Sequence, residues 1–542
     1  MAVPKRVLLV TAAAYAFFSA RYAPDAAPFA AKSYGKNTVA VFALLYFVQL
    51  IWGILIYPLF LTPLRKLPTP KESHFLLGHF GRIYKEPTGE PQRDWIDNIP
   101  NDGVLYYRWL FNEPRVMVTT PKAIGEVLVH RSYDFIKPAR LRNGLGRILG
   151  VGILLAEGDE HKRQRKLLMP AFNFRHVKDL YPIFWGKSQQ MVNSISEAIK
   201  SDPSASSVIE IVSWSSRATL DIIGVAGVGK DFDALTNPDT ELNETYRQIF
   251  ASNRGARLVQ VLLGLLPHWV AVNLPLKQND EIGNAVRTIK NVARDLIRSK
   301  REKLQKGEEK GLDILSVAME SGGFTDEDLV NQLMTFLAAG HETTASAVSW
   351  VVYILCRHPE VQKRLREEIH QGLPAALEDG GQISSTEIDR LPYLNAVLQE
   401  TMRVYPPVPL TLRETAHDTT IQSQFVPAGT TVVICPWAVN TSKHLWGPDA
   451  REFNPDRWMQ PGTANTGGAE SNYATTTFLH GPRSCIGKDF AKAEFACLVA
   501  AFVGRFEFEF EDPDYKVEIQ GGITSKPKGG LKIRLRDVRD AS

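Results

Sequence analysis

Apolar residues are unevenly spread along the chain. Thr38 to Phe60 is a run of 23 residues in which Gln49 is the one strongly polar side chain. At ~1.5 Å per residue, a helix over this run spans roughly 34 Å, enough for one bilayer crossing. Arg65, Lys66 and Lys71 follow it closely, and the positive-inside rule then places the rest of the chain in the cytosol. Pro63, Pro68 and Pro70 stiffen the next segment, which suits a hinge between anchor and globule. A buried core helix is the alternative reading, and the length of the run and its flanking charges weigh against it. An earlier stretch, Val7 to Ala20, follows Lys5 and Arg6 as the apolar core of a signal sequence does. It is short for a span, so a second marginal crossing, an interfacial segment and an uncleaved targeting element stay open.

Helical periodicity dominates the remainder. Asp326 to about His358 is the strongest case: Thr325 with Asp328 makes a capping box, the interior is apolar and Pro359 stops it. It far exceeds the mean helix of about 11 or 12 residues, so it must cross the core of a large α-rich domain. Val361 to His370, Pro392 to Tyr405 and Ile282 to Lys306 predict further helices, while Val104 to Leu110 and Thr430 to Ile434 read as strands. No repeat, low-complexity tract or long linker divides this part. The expected fold is mainly α with a minor β-sheet, in one large domain behind an N-terminal transmembrane anchor. The segments are 1–37 (targeting or membrane-associated), 38–61 (transmembrane helix), 62–72 (proline-containing hinge) and 73–542 (catalytic domain).

Charge and composition narrow the function. The 63 Lys and Arg against 59 Asp and Glu leave a net charge of +4, with 44% hydrophobic residues. That balance excludes a disordered tail protein, a fibre and a strongly basic nucleic-acid binder. The cations Arg298, Lys300, Arg301, Lys303 and Lys306 are interspersed with Glu302, Glu308 and Glu309, as on a solvated helix face. Leu258 to Val272 is a further apolar stretch suited to resting on a bilayer. The four cysteines, Cys356, Cys435, Cys485 and Cys497, have no spacing that suggests disulfides or zinc. They indicate a reducing compartment, where a cysteine matters for its thiolate.

One cysteine stands in an unusual loop, Phe478-Leu479-His480-Gly481-Pro482-Arg483-Ser484-Cys485-Ile486-Gly487. Glycines on both sides permit a tight turn in which backbone approaches a flat ligand and amide N–H groups point at sulfur. With this FxxGxRxCxG pattern the chain resembles the cytochrome P450 family of haem-thiolate monooxygenases, and three more motifs follow the family's order. The resemblance implies haem b, with Cys485 as axial thiolate; a thiolate pushes electron density onto iron and favours O–O cleavage. It also implies that Arg483 pairs with a haem propionate, that Phe478 shields the sulfur, and that Gly481 and Gly487 shape the loop.

Glu400 and Arg403 are three apart on a predicted helix and so share a face. In the family such a pair joins an arginine that corresponds to Arg457, within Phe453-Asn454-Pro455-Asp456-Arg457-Trp458, in a buried structural network. Ala339-Gly340-His341-Glu342-Thr343-Thr344 lies mid-helix, where Gly and paired Thr invite a bulge or a bond to the carbonyl one turn back. By resemblance this turn makes the oxygen pocket: Thr343 hydrogen-bonds the activated oxygen and Glu342 relays protons, two catalytic roles. His161 replaces a tryptophan common in relatives, four residues before Arg165, and both are expected at a propionate with Arg413 as a third partner.

The family draws electrons from a separate NADPH-dependent flavoprotein reductase, and Lys488 and Lys492 beside Cys485 suit its acidic docking face. After residue 500 too little chain remains for a fused flavin domain. Family substrate contacts fall near Ile136 to Gly150, Ala338, Pro407 to Thr411 and Ile523, mostly apolar here. A hydrophobic small molecule arriving from the membrane follows, and the resemblance to fungal biosynthetic members suggests a terpenoid or polyketide intermediate of secondary metabolism. An oxygen-independent isomerase or dehydratase, and a non-enzymatic haem binder, are the alternatives; an intact Glu342-Thr343 pair argues against both. The expected location is the endoplasmic reticulum membrane, single-pass, with the catalytic domain in the cytosol and no nucleic-acid partner. There the sequons at Asn243 and Asn440 stay unmodified.

Overall fold

The computed structural model describes residues 5–22, 34–201, 207–250, 270, 273–307, 311–378 and 380–541. The apolar stretch Leu258 to Val272 lies outside these residues, apart from Val270. Two helices come first, α1 (Lys5–Tyr22) and α2 (Tyr34–Ile51), and α2 runs on into a π-helical stretch, Trp52–Leu61, that contains Pro58. The segment Lys36–Lys66 is long and apolar enough to cross a membrane. The stretch left open in the sequence is thus helix α1, and it packs on α2, burying Ala12 and Ala16 completely. Small side chains at such a contact let two backbones come close.

The expected hinge at 62–72 is fastened down. Leu64 and Leu67 are buried in the core beside the main sheet, and the Tyr106 N–H donates to the Pro68 carbonyl at 2.9 Å. Bending there would expose two leucines, at about 1.5–3 kcal/mol each.

Helices surround the 32-residue α3, Asp326–Arg357, whose central residues are almost all buried. Thr325 Oγ1 accepts the Asp328 N–H at 3.2 Å and Asp328 Oδ2 accepts the Thr325 N–H at 3.0 Å, so two otherwise orphaned donors are satisfied. Helix α4 (Pro392–Val404) and helix α5 (Lys488–Arg505) pack on it. Strands are short. The largest sheet has five, in the order Val104–Arg108, Pro114–Val118, Thr431–Ile434, Thr411–Thr415 and Phe135–Ile136, with its one parallel pair placing Arg115 opposite Thr431. Isoleucine, valine and phenylalanine on its strands make a second, smaller core.

A buried charge network locks α4 to the loop before Cys485. Glu400 accepts from Arg403 twice at 2.8 Å, from Arg457 Nε at 2.9 Å and from Trp458 Nε1 at 2.9 Å. Arg403 also donates to the carbonyls of Asn440, Ala450 and Glu452. Every lone pair and N–H of this pair finds a partner, the condition under which a buried ion pair is tolerated. Asn440, in the second sequon, is fully buried, bonding Thr476 and Thr477.

Candidate active site

Cys485 follows the turn Gly481–Arg483 and stands two residues before Gly487, the N-cap of α5. Gly481 has φ +74°, and a Cβ there would lie 2.2 Å from the Leu128 carbonyl oxygen, so only glycine fits. The Cys485 N–H donates to the Phe478 carbonyl at 2.9 Å and closes the loop, while the Phe478 ring packs on the helical core. Burial pushes the Cys485 thiol up, and a hydrogen bond from Gly487 and the charges of Arg165 and Lys488 pull it back. The Gly487 bond and the start of α5 both favour negative charge on sulfur. Cys485 is surrounded by protein and still has an open surface, so it lines an internal space; Cys435 and Cys497 are buried and Cys356 half-buried. Burial raises the thiols of all three, that of Cys435 to about 12, which leaves them inert.

Cations converge beside this loop. Arg483 pairs with Glu157 and donates to the carbonyls of Phe135 at 3.1 Å and Ala156 at 3.3 Å, while its buried Nε has no partner among the described residues. Arg413 is buried too, bonding Thr411 Oγ1 at 3.2 Å and the Leu412 carbonyl at 2.9 Å. Burial, and then the charge of Arg483, push it down to about 10. His161 is pushed down to about 4 by burial and then by Arg483, Lys137, Arg165 and Arg413, so it is neutral, with Nδ1 3.1 Å from the Tyr133 hydroxyl. Arg165 donates to the Ser484 carbonyl at 2.7 Å and steadies the residue before the cysteine.

The structure adds two residues that sequence reasoning missed, Lys137 and Glu157. Lys137 is 8% exposed, and Glu157, whose carboxylate accepts the Lys137 backbone N–H at 2.8 Å, opposes the like charges of Arg413, Arg483 and Arg142 upon it. Neither stands in a recognisable motif; they meet the arginines only through the fold. Four basic side chains against one carboxylate leave an excess of positive charge beside the cysteine loop, which calls for an anionic ligand. The two propionates of haem have that charge, and the adjacent open thiol suits its iron.

Helix α3 presents the facing wall. Ala339 is exposed and Gly340 and Thr343 are half-buried in a stretch whose other residues are buried, so one strip of the helix faces open space inside the fold. The helix stays α-helical there, with no bulge, and Thr343 Oγ1 donates to the Ala339 carbonyl at 2.8 Å. Glu342 turns to another side: its Oε1 accepts from Thr524 Oγ1 and from Lys526 Nζ, each at 3.0 Å. Phe172 bridges loop and helix, lying in van der Waals reach of Gly487 and edge-on to Phe336 at 5.7 Å. Gln332 Nε2 donates to Gln164 at 2.8 Å, and Trp350 Nε1 to the Ser525 carbonyl at 3.0 Å. The cysteine loop, the Gly158–Leu168 helix, α3 and the C-terminal turn are thus bonded to one another. Of the lysines expected at a docking face, Lys488 is exposed and Lys492 half-buried.

Known proteins give this geometry a context. A family model described as Cytochrome P450 matches residues 68–533. The chain is 47% identical to the cytochrome P450 monooxygenase sphH of Aspergillus fumigatus, over 93% of this chain and 94% of that protein. It is 43% identical to the cytochrome P450 monooxygenase FUM15 of Gibberella moniliformis, over 90% and 91%. A third similar protein is the cytochrome P450 monooxygenase ALT8 of Alternaria alternata, 41% identical over 90% and 92%.

Proposed function

The chain belongs to the cytochrome P450 family and is a haem-thiolate monooxygenase, and on that premise we propose that it oxidises a hydrophobic intermediate of secondary metabolism, a terpenoid or polyketide, with electrons from a separate NADPH-dependent flavoprotein reductase. The observation that carries this reading is the open Cys485 thiol beside a cluster of buried cations, with an open strip on α3 at Ala339–Thr343. The haem supplies dioxygen activation, strengthened by thiolate ligation.

The chain's residues hold and serve that group. Cys485 is the ligand, and the Gly487 N–H and the charges of Arg165 and Lys488 favour its thiolate against the effect of burial. Arg483, Arg413 and Lys137 neutralise the propionates; neutral His161 can add a ring N–H, and Arg165 fixes the loop through Ser484. Thr343 places a hydroxyl on the open strip, where it can donate one hydrogen bond while accepting another. Glu342, one residue away, pairs with half-buried Lys526 on another side of α3, and for proton relay its side chain would have to swing toward the strip. The segments 136–150, 407–411 and the turn at Ile523 shape the substrate end. Exposed Lys488 offers the reductase a positive contact. Helix α2 anchors the protein in the endoplasmic reticulum membrane, with residues 73–542 as the cytosolic catalytic domain.

A spectral screen for substrate binding on reconstituted membranes, with products identified by mass, tests the reading. Product carrying one oxygen atom from dioxygen, formed only with reductase and NADPH, is expected. Turnover without oxygen and reductase would replace it with an isomerase or dehydratase.

A further inference from the structure

The membrane helix is bonded to the catalytic domain at one unusual point. Proline has no N–H, and inside a helix its ring crowds the carbonyl four residues earlier. For Pro58 that carbonyl belongs to Ile54, and the helix widens to π geometry over Trp52–Leu61. Asn112 of the catalytic domain reaches this place: its Nδ2 donates to the Ile54 carbonyl at 2.9 Å and to the Phe75 carbonyl at 2.7 Å. Its Oδ1 accepts from Arg108 at 3.2 Å. Asn112 is fully buried, so its three bonds are made away from water.

The turn that presents Asn112 is strained. It joins the antiparallel strands Val104–Arg108 and Pro114–Val118, and both Phe111 and Asn112 are left-handed, with φ +54° and +56°. Asparagine tolerates that conformation, whereas for phenylalanine it is a true outlier. Strain of this kind persists where surrounding structure imposes it, and it points toward function. Around the contact, Phe60, Phe75 and Phe111 are exposed, next to a helix apolar enough to span a bilayer.

We propose that Asn112 is a latch that seats on the carbonyl Pro58 leaves without its α-helical donor, fixing the catalytic domain rigidly on its membrane helix with Phe75 and Phe111 against the lipid surface. The domain then has one orientation toward the bilayer, set by this bond together with buried Leu64 and Leu67. The inference rests on the reading of α2 as a membrane anchor.

Linear dichroism of the haem in oriented phospholipid bilayers, with the full-length holoprotein, reads that orientation. Asn112→Ala removes the donor; Pro58→Ala restores an N–H at the α-helical donor position for Ile54 and leaves the catalytic domain untouched. Each should lower the dichroism measurably while the haem absorption spectrum stays native, and the double variant should lose no more than either single one. Native dichroism in Asn112→Ala, or losses that add in the double variant, would overturn the latch. If Asn112→Ala yields no haem protein, Pro58→Ala decides alone, and unchanged dichroism there refutes the proposal. Protein recovered in the soluble fraction without detergent would instead refute the anchor reading.

Discussion

Lys137 and Arg413 meet as like charges in a buried site: burial first, and then Arg413, push the Lys137 ammonium well below the ordinary lysine range. Such a pair is stable only when a ligand brings opposite charge. Lys137→Met should therefore stabilise the haem-free protein by about 1 to 4 kcal/mol, since it removes an uncompensated buried charge. The same change should speed haem loss from the holoprotein. The sign follows from linkage: a lowered lysine pKa gives stability that is present above the unfolded value of ~10.4 and lost as pH falls through the folded one. Denaturation of haem-free protein across alkaline pH, and haem transfer to an acceptor globin, check both halves. Equal stability with slower haem loss would contradict the assignment.

Glu400 is a hub with two arginines, an indole N–H and the Asn454 backbone N–H upon it. Glu400→Ala strands the buried Arg403 guanidinium, takes from half-buried Arg457 one of its two carboxylate partners, and should cost roughly 3 to 5 kcal/mol. Urea denaturation of the holoprotein, or a collapse in the yield of haem-loaded protein, measures this. A loss under about 1 kcal/mol would place the network among ordinary surface pairs.

Glu494 on α5 is fully buried, neither of its carboxyl oxygens has a hydrogen-bond partner among the described residues, and burial raises its carboxyl well above the ordinary range. A raised folded pKa gives stability that is complete below the unfolded value of ~4.3 and is lost as pH rises toward the folded one. Glu494→Gln should flatten that decline in a series of denaturation midpoints. A variant that keeps the wild-type slope would show that another group titrates.

Thr343 holds its hydroxyl on the open strip of α3. Thr343→Ala should release a larger share of the NADPH electrons as hydrogen peroxide, and Thr343→Ser should restore coupling. Peroxide formed per NADPH consumed reads this directly, and full coupling in the alanine variant would remove Thr343 from proton delivery.

Much of this fold can be read in the sequence where the signal is local. The capping box at Thr325, the Pro359 stop and the three-residue spacing of Glu400 and Arg403 depend on neighbours along one helix. The cysteine loop is equally local as a pattern, although the reason Gly481 must be glycine, the Leu128 carbonyl, comes from distant chain. What escapes sequence reading depends on distant chain coming together. Lys137 gains meaning from Arg413, and Glu342 turns to Lys526 because the C-terminal turn passes its side of α3. The prolines at 63, 68 and 70 suggested a hinge, yet Leu64 and Leu67 between them decide the outcome by burying themselves. Apolar residues alternating with prolines were the clue that this segment packs.

The central claim is that Cys485 is the haem-iron ligand of a monooxygenase. The carbon-monoxide difference spectrum of the reduced holoprotein tests it most directly, with Cys485→His as comparison. The wild type should show the red-shifted thiolate band, and the histidine variant should bind haem yet lose that band. A thiolate band unchanged in Cys485→His would contradict the account.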